Sequence, residues 1–267
     1  MKHIFAAIAA SVVVSACATG GDSQEVEESS ANETPAFQEP IDYIPSALGT
    51  YSWKVTTAND TAQQYFDQGI QMRYAYGMND AARSFREAHK ADPNCAMCYW
   101  GEAFSLGSFL NGGMSAEKAP YAHEAIEKAV ELSAGATELE RDMIMAARDR
   151  YPADYDPENR RPVDEAFAER MKVLSDKYAG NHEVAVVYAV ALFLLEERRG
   201  YRDVNDPDLI YLHSVLTGVL DEDITHPGAC HLYIHATESS QEPERALACA
   251  EYLSDAVPAA SHIQHMP

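Results

Sequence analysis

The chain has 267 residues, 20 of them basic and 42 acidic, for a formal charge of -22. A field of that sign repels phosphate, which excludes bare nucleic acid as a partner and electrostatic adhesion to anionic lipid. Apolar residues make up 46% of the chain, enough for a sizeable core, and five cysteines are too few for a disulfide-dense miniprotein.

Lys2 followed by the apolar run Ile4 to Val14 reads as an export signal, because a run that short does not span a bilayer. Val14-Ser15-Ala16-Cys17 resembles the lipobox of bacterial lipoproteins; an ordinary signal cleaved near Ala16-Cys17-Ala18 is the alternative. The resemblance implies removal of residues 1–16 and lipidation of Cys17. With Ala18 rather than Asp next, it implies an outer-membrane lipoprotein facing the periplasm, touching the membrane through its lipid alone.

Residues 18–50 carry seven acids, no base, and Pro35, Pro40 and Pro45, without helical or strand periodicity. Residues 17–50 are therefore expected to be a disordered, lipid-anchored acidic linker. From Thr61 the apolar spacing becomes three and four. It predicts helices at 61–76, 79–91, 94–109, 117–132, 137–150, 162–178, 182–197, 207–220, 228–239 and 243–256, with Gly and Pro breakers between them. Residues 51–267 are thus expected to form one all-α domain.

Tyr65, Gly69, Met72, Ala81, Phe85, Ala88 and Pro93 fall at tetratricopeptide-repeat (TPR) spacing, with Gln68 where that pattern carries Leu. Small residues at 69 and 81 suit a helix crossing, and Phe85 would fill the space beside the next pair. A second unit spans about 96–132, its turn lengthened at Asn111–Pro120, and a degenerate one about 228–258. The expected fold is a right-handed α-solenoid of TPR-like antiparallel helix pairs; a generic helical bundle is the alternative.

Half of the ten histidines lie within residues 226–265. On a helix starting near Pro227, His231, His235 and Glu238 lie within about 60° of one another. Two imidazoles and a carboxylate on one face suit Zn, Cu or Fe, and His262 and His265 could add ligands if the chain folds back. The competing reading packs these histidines in the groove on backbone or Glu238, with His226 capping the helix. Cys95 and Cys98 form a CxxC at a helix start, open to three readings: a local disulfide, a redox or copper site with Met97, or two buried small residues. Cys230 and Cys249 sit on consecutive helices and could pair. No dinucleotide, phosphate-loop or nucleophile-elbow motif is present, so no catalytic residue is assigned.

His226-Pro227-Gly228, His231-x-Tyr233-Ile234-His235-x2-Glu238 and His262-x2-His265-Met266-Pro267, together with Cys95 to Ala103, resemble a His-rich branch of bacterial TPR lipoproteins over most of residues 60–267. The resemblance implies the fold and not a chemistry. The motif breaks off at Pro267, as in a C-terminally truncated sequence. Two functions follow as expectations. The first is a scaffold offering a concave helical surface to a protein or peptide. The second is a metalloprotein built on His231, His235 and Glu238, with His262 and His265 accessory.

Overall fold

Asn59, Thr137, Asn181 and Asp206 each stand just before an apolar-periodic stretch, and each side chain accepts a backbone N–H of the turn that follows. Thr137 and Glu140 complete a reciprocal capping box. These caps start four of the ten α-helices found among the described residues, which are 34–196 and 202–266 of this computed structural model. The helices are α1 (Asp60–Tyr74), α2 (Met78–Ala91), α3 (Ala96–Leu106), α4 (Ala119–Leu132), α5 (Glu138–Arg148), α6 (Arg161–Lys177), α7 (His182–Leu195), α8 (Pro207–Leu220), α9 (Pro227–Thr237) and α10 (Leu247–Ala256). All ten predicted helices are present, with ends moved by a few residues. The described residues hold no strand, only a single bridge between Phe109 and Gly112 in the long α3–α4 turn. No helix among them is long and apolar enough to cross a membrane.

Every helix packs on its successor, and α1 on α3, α3 on α5 and α7 on α9 bring together the alternate helices. Helix pairs stacked in this way form an α-solenoid, in which each pair buries a face its neighbour completes. Phe85 shows why the repeat residues are needed. Its ring is fully buried between two glycines, and a Cβ would stand 2.9 Å from it at Gly69 and 2.3 Å at Gly101. Those positions admit no side chain while the ring is there. Around it Phe66, Trp53, Trp100 and Phe104 continue edge-to-face and stacked contacts at centroid distances of 4.8 to 5.8 Å.

Residues 34–50 correct the expected linker boundary. They lie on the helical unit, which runs from Thr34, and Phe37 is only 3% exposed. The acids at 39 and 42 face outward, while Phe37, Ile44 and Leu48 pack inward. Composition reads the charge of such a segment and misses its few anchors. Residues 17–33 lie outside the described residues, as does the expected signal peptide.

The chain also returns on itself. α9 packs against the C-terminal end of α1, so closely that a Cβ on Gly228 would stand 2.8 Å from the Tyr74 ring. This return places the C-terminal histidines beside the α1–α2 turn.

Candidate metal centre

Every residue of α9 from Pro227 to Thr237 is buried. The helix is enclosed by α1, α7, α8 and α10, so its polar side chains need partners inside the protein. His231 and His235 lie one turn apart on it, with rings 4.7 Å apart. After α10 the chain turns at Pro258 and returns, with Val257, Ala260 and Ile263 buried. That brings His262 to ring distances of 5.0 Å from His231 and 5.9 Å from His235. One ligand atom from each of His231, His235 and His262 lies within 4.8 Å of the others.

The outward nitrogen of each ring is engaged. His231 Nδ1 donates to the Tyr74 carbonyl at 2.5 Å. His235 Nδ1 is 2.8 Å from Glu238 Oε1. His262 Nδ1 is 3.1 Å from His265 Nε2. The Nε2 atoms of His231 and His262 face one another at 3.1 Å. In a tetrahedral site with zinc–nitrogen bonds near 2.05 Å, two ligand nitrogens stand about 3.3 Å apart. Burial, reinforced by the charge of His235, holds His231 well below the ordinary imidazole range. Burial also lowers His262, with His265 and His235 adding to it. Neutral rings are the form that ligates metals.

Of the five residues expected from sequence, the structure brings three imidazoles face to face and sets the other two behind them. Glu238 and His265, both exposed, touch the outer nitrogens of His235 and His262. Both contacts are to Nδ1 atoms, the position an outer partner holds when a histidine ligates through Nε2. His226 caps α9, its Nδ1 accepting the Ala229 N–H at 3.2 Å.

Two tyrosines complete the site and were missed by the sequence reading, which ran the first helix to 76. α1 ends at Tyr74, and Tyr76 takes a left-handed conformation at φ 59° before Gly77. Its ring lies 4.2 Å from that of His231 and stacks on His235 and His262 at 5.7 and 5.2 Å. Tyr74 ties the centre to a second polar cluster: its carbonyl holds His231, and its hydroxyl donates to Glu183 Oε2 at 2.8 Å. Tyr51 donates to the other Glu183 oxygen, and His226 Nε2 stands 3.4 Å from it. Below the centre, the buried Arg73 lies 4.1 Å from the Phe104 ring centre, and burial pushes its guanidinium down to about 10. Two openings border residues that contact the histidines. One of about 380 Å³ has Tyr76 in its wall, and one of about 250 Å³ has Glu238 and Met266.

Cys95 and Cys98 are bridged, fully buried, with Cα atoms 5.3 Å apart, and Cys95 Sγ caps α3 by accepting the Cys98 N–H. Of the three readings, the local disulfide is the arrangement found. Cys230 and Cys249 are also bridged, joining α9 to α10 ahead of the returning segment. Cys17 lies outside the described residues.

No family model matches the chain, and no curated protein matches it. Among solved structures, the chain is similar to YrrB, described as a TPR protein with an unusual peptide-binding site. They share 15% identity over 76% of this chain and 90% of that one, at a TM-score of 0.34. The helix stacking itself defines the α-solenoid here.

Proposed function

We propose that this protein binds a transition metal, with His231, His235 and His262 as ligands through Nε2. The observation that carries it is the engagement of all three Nδ1 atoms by outer partners, Tyr74, Glu238 and His265. Ligating histidines characteristically hold their second nitrogen in this way. An all-imidazole set favours Zn, Cu or Fe over Mg or Ca, which take oxygen ligands. Three protein ligands would leave one coordination position for water or another small ligand. The test is elemental analysis of the purified full chain, with titration of Zn²⁺ and Cu²⁺ by calorimetry. One equivalent lost on His231→Ala and His262→Ala supports the site. No metal uptake by the unmutated chain, or uptake untouched by both variants, overturns it.

The envelope address belongs to the same reading. Residues 1–17 direct export and lipidation at Cys17, with the helical domain facing the periplasm. Radiolabelled palmitate incorporated by the wild type and absent from Cys17→Ala tests it.

A second reading is a scaffold for a protein or peptide partner. It is favoured by an open groove of about 950 Å³ between α2, α3 and α4, walled by Tyr99, Tyr121, His89 and His123. Aromatic and imidazole side chains on a rigid solenoid suit a peptide held by both apolar and hydrogen-bonding contacts.

A further inference from the structure

α2 and α4 both pack on α3 and scarcely on one another, so the open groove of about 950 Å³ lies between them with α3 as its floor. The floor is internally matched. Glu102 on α3, 4% exposed, accepts from Arg86 Nη1 and from His89 Nε2, each at 2.8 Å. An ionised carboxylate only accepts, so His89 carries its proton on Nε2 and has no partner for Nδ1 among the described residues. His123 on α4 repeats the arrangement. Its Nδ1 donates to the Tyr151 carbonyl at 2.8 Å, and its Nε2 has no partner among the described residues. In the neutral rings both spare nitrogens are acceptors.

α4 adds carboxylates. Glu124, Glu127 and Glu131 recur at spacings of three and four, which aligns them as a stripe on the face that walls the groove. Glu131 pairs with Lys128 at 2.9 Å and Glu127 with Arg148 at 3.0 Å, while Glu124 has no ion-pair partner among the described residues. Solvent-exposed pairs of this kind are weak and exchange readily for another cation. Four carboxylates against Arg86 and Lys128 leave the groove with an excess of negative charge. The remaining walls are aromatic: Tyr99, with His89 stacked on it at 4.1 Å, and Tyr121 on α4.

We propose that this groove binds an extended polypeptide segment carrying two basic side chains, arginine in preference to lysine. Surplus carboxylates and bare imidazole nitrogens both require a donor-rich cation. A guanidinium brings five donors and a flat face that stacks on an aromatic ring, where an ammonium brings a compact, strongly hydrated charge. An acidic segment meets like charge instead. Glu124 and Glu131 are seven residues apart, about 10 Å along the helix, which an extended chain spans in about three residues. The two basic residues are therefore expected two or three positions apart. The inference deepens the scaffold reading by naming the partner's chemistry, rests on that reading, and is independent of the metal.

The test pans a displayed library of random octapeptides on the full chain, with counter-selection on Glu124→Gln/Glu131→Gln. Both side chains are exposed, so the substitutions change charge and not packing. Recovered peptides are expected to carry arginine pairs two or three apart. By fluorescence anisotropy, the tightest of them is expected to lose at least about tenfold in affinity on Glu124→Gln/Glu131→Gln, and as much when its arginines become glutamine. Lysine in their place is expected to bind between the two. Glu165→Gln/Glu251→Gln removes the same charge from exposed positions on α6 and α10 and is expected to bind as the wild type does. Equal weakening by that distant pair means that the peptide reads net charge alone, and overturns the proposal. A library that returns acidic or uncharged peptides overturns it too. If such peptides shift the imidazole NMR signals of His89 and His123, they occupy the groove, so this inference fails and the scaffold reading stands. A library that returns no binder to the groove overturns both.

Discussion

His231 and His262 present their Nε2 atoms to one another at 3.1 Å, although 31 residues separate them. The Tyr74 carbonyl can only accept, so His231 carries its proton on Nδ1 and turns a bare lone pair toward His262. His262 must then place a proton, or a cation, between the two nitrogens. This asymmetry separates ligands from orienting residues. Calorimetric titration with Zn²⁺ should show His231→Ala and His262→Ala losing measurable binding. Glu238→Gln and His265→Ala should keep one equivalent and weaken it by about 10- to 100-fold, the usual effect of an outer partner. Equal losses at all four positions would make Glu238 and His265 ligands instead.

Gly101 tests the repeat packing. A methyl group there would stand 2.3 Å from the Phe85 ring, which is itself enclosed by Gly69 on the other side. Gly101→Ala should therefore destabilise the protein by about 1–3 kcal/mol, the ordinary cost of overpacking. Gly135→Ala should not clash, because nothing lies within 4 Å of its added carbon. Urea unfolding of the two variants compares them directly.

Gly69, Ala81 and Phe85 were legible because a helix crossing imposes size at fixed spacing, and apolar residues three and four apart between Gly and Pro breakers located the ten helices. The His231–His235 pair was legible as one turn of helix. Its approach to His262 was not, because that depends on where the chain folds back after α10. Tyr74 and Tyr76 were hidden for a similar reason: their roles lie in a carbonyl and a left-handed turn, neither of which has a side-chain signature. Segment 34–50 escaped because much of its hold on α1 and α2 is through its own backbone groups, to which composition is blind. Gln68, where the repeat carries Leu, was the one visible trace of it.

His213 supplies a pH dependence away from the metal centre. It lies on α8, 6% exposed, with its ring against Tyr233 and its Nε2 3.5 Å from Thr237 Oγ1. Burial lowers its folded-state value below 6.5, and the charges of Arg245 and Arg202 lower it further, against a backbone hydrogen bond at Ala236. The unfolded chain therefore takes up a proton as pH falls through about 6.5 while the folded chain resists it. Stability drops on that acid side and is recovered at neutral pH. The urea midpoint of the wild type should fall more between pH 7.5 and 5.5 than that of His213→Phe. An unchanged pH slope in the variant would remove His213 from the account.

Tyr76 sets backbone comfort against the site. At φ 59° a side chain larger than Gly costs roughly 1–2 kcal/mol, so Tyr76→Gly relieves strain in the α1–α2 turn. The ring it removes stacks on His235 and His262 and lies closest of all to His231. Without that wall the imidazoles gain room to rotate and water gains access, and both oppose a preformed centre. Tyr76→Phe keeps the wall and the strain together. Zn²⁺ titration should therefore rank wild type and Tyr76→Phe close together and Tyr76→Gly at least about tenfold weaker, in the range of other supporting-residue losses. Thermal unfolding without metal should show Tyr76→Gly losing less than the 3–5 kcal/mol typical of deleting a buried aromatic, because relief of the turn offsets part of it. If Tyr76→Gly binds Zn²⁺ as tightly as the wild type, the ring has no part in holding the centre, and the left-handed turn needs another explanation.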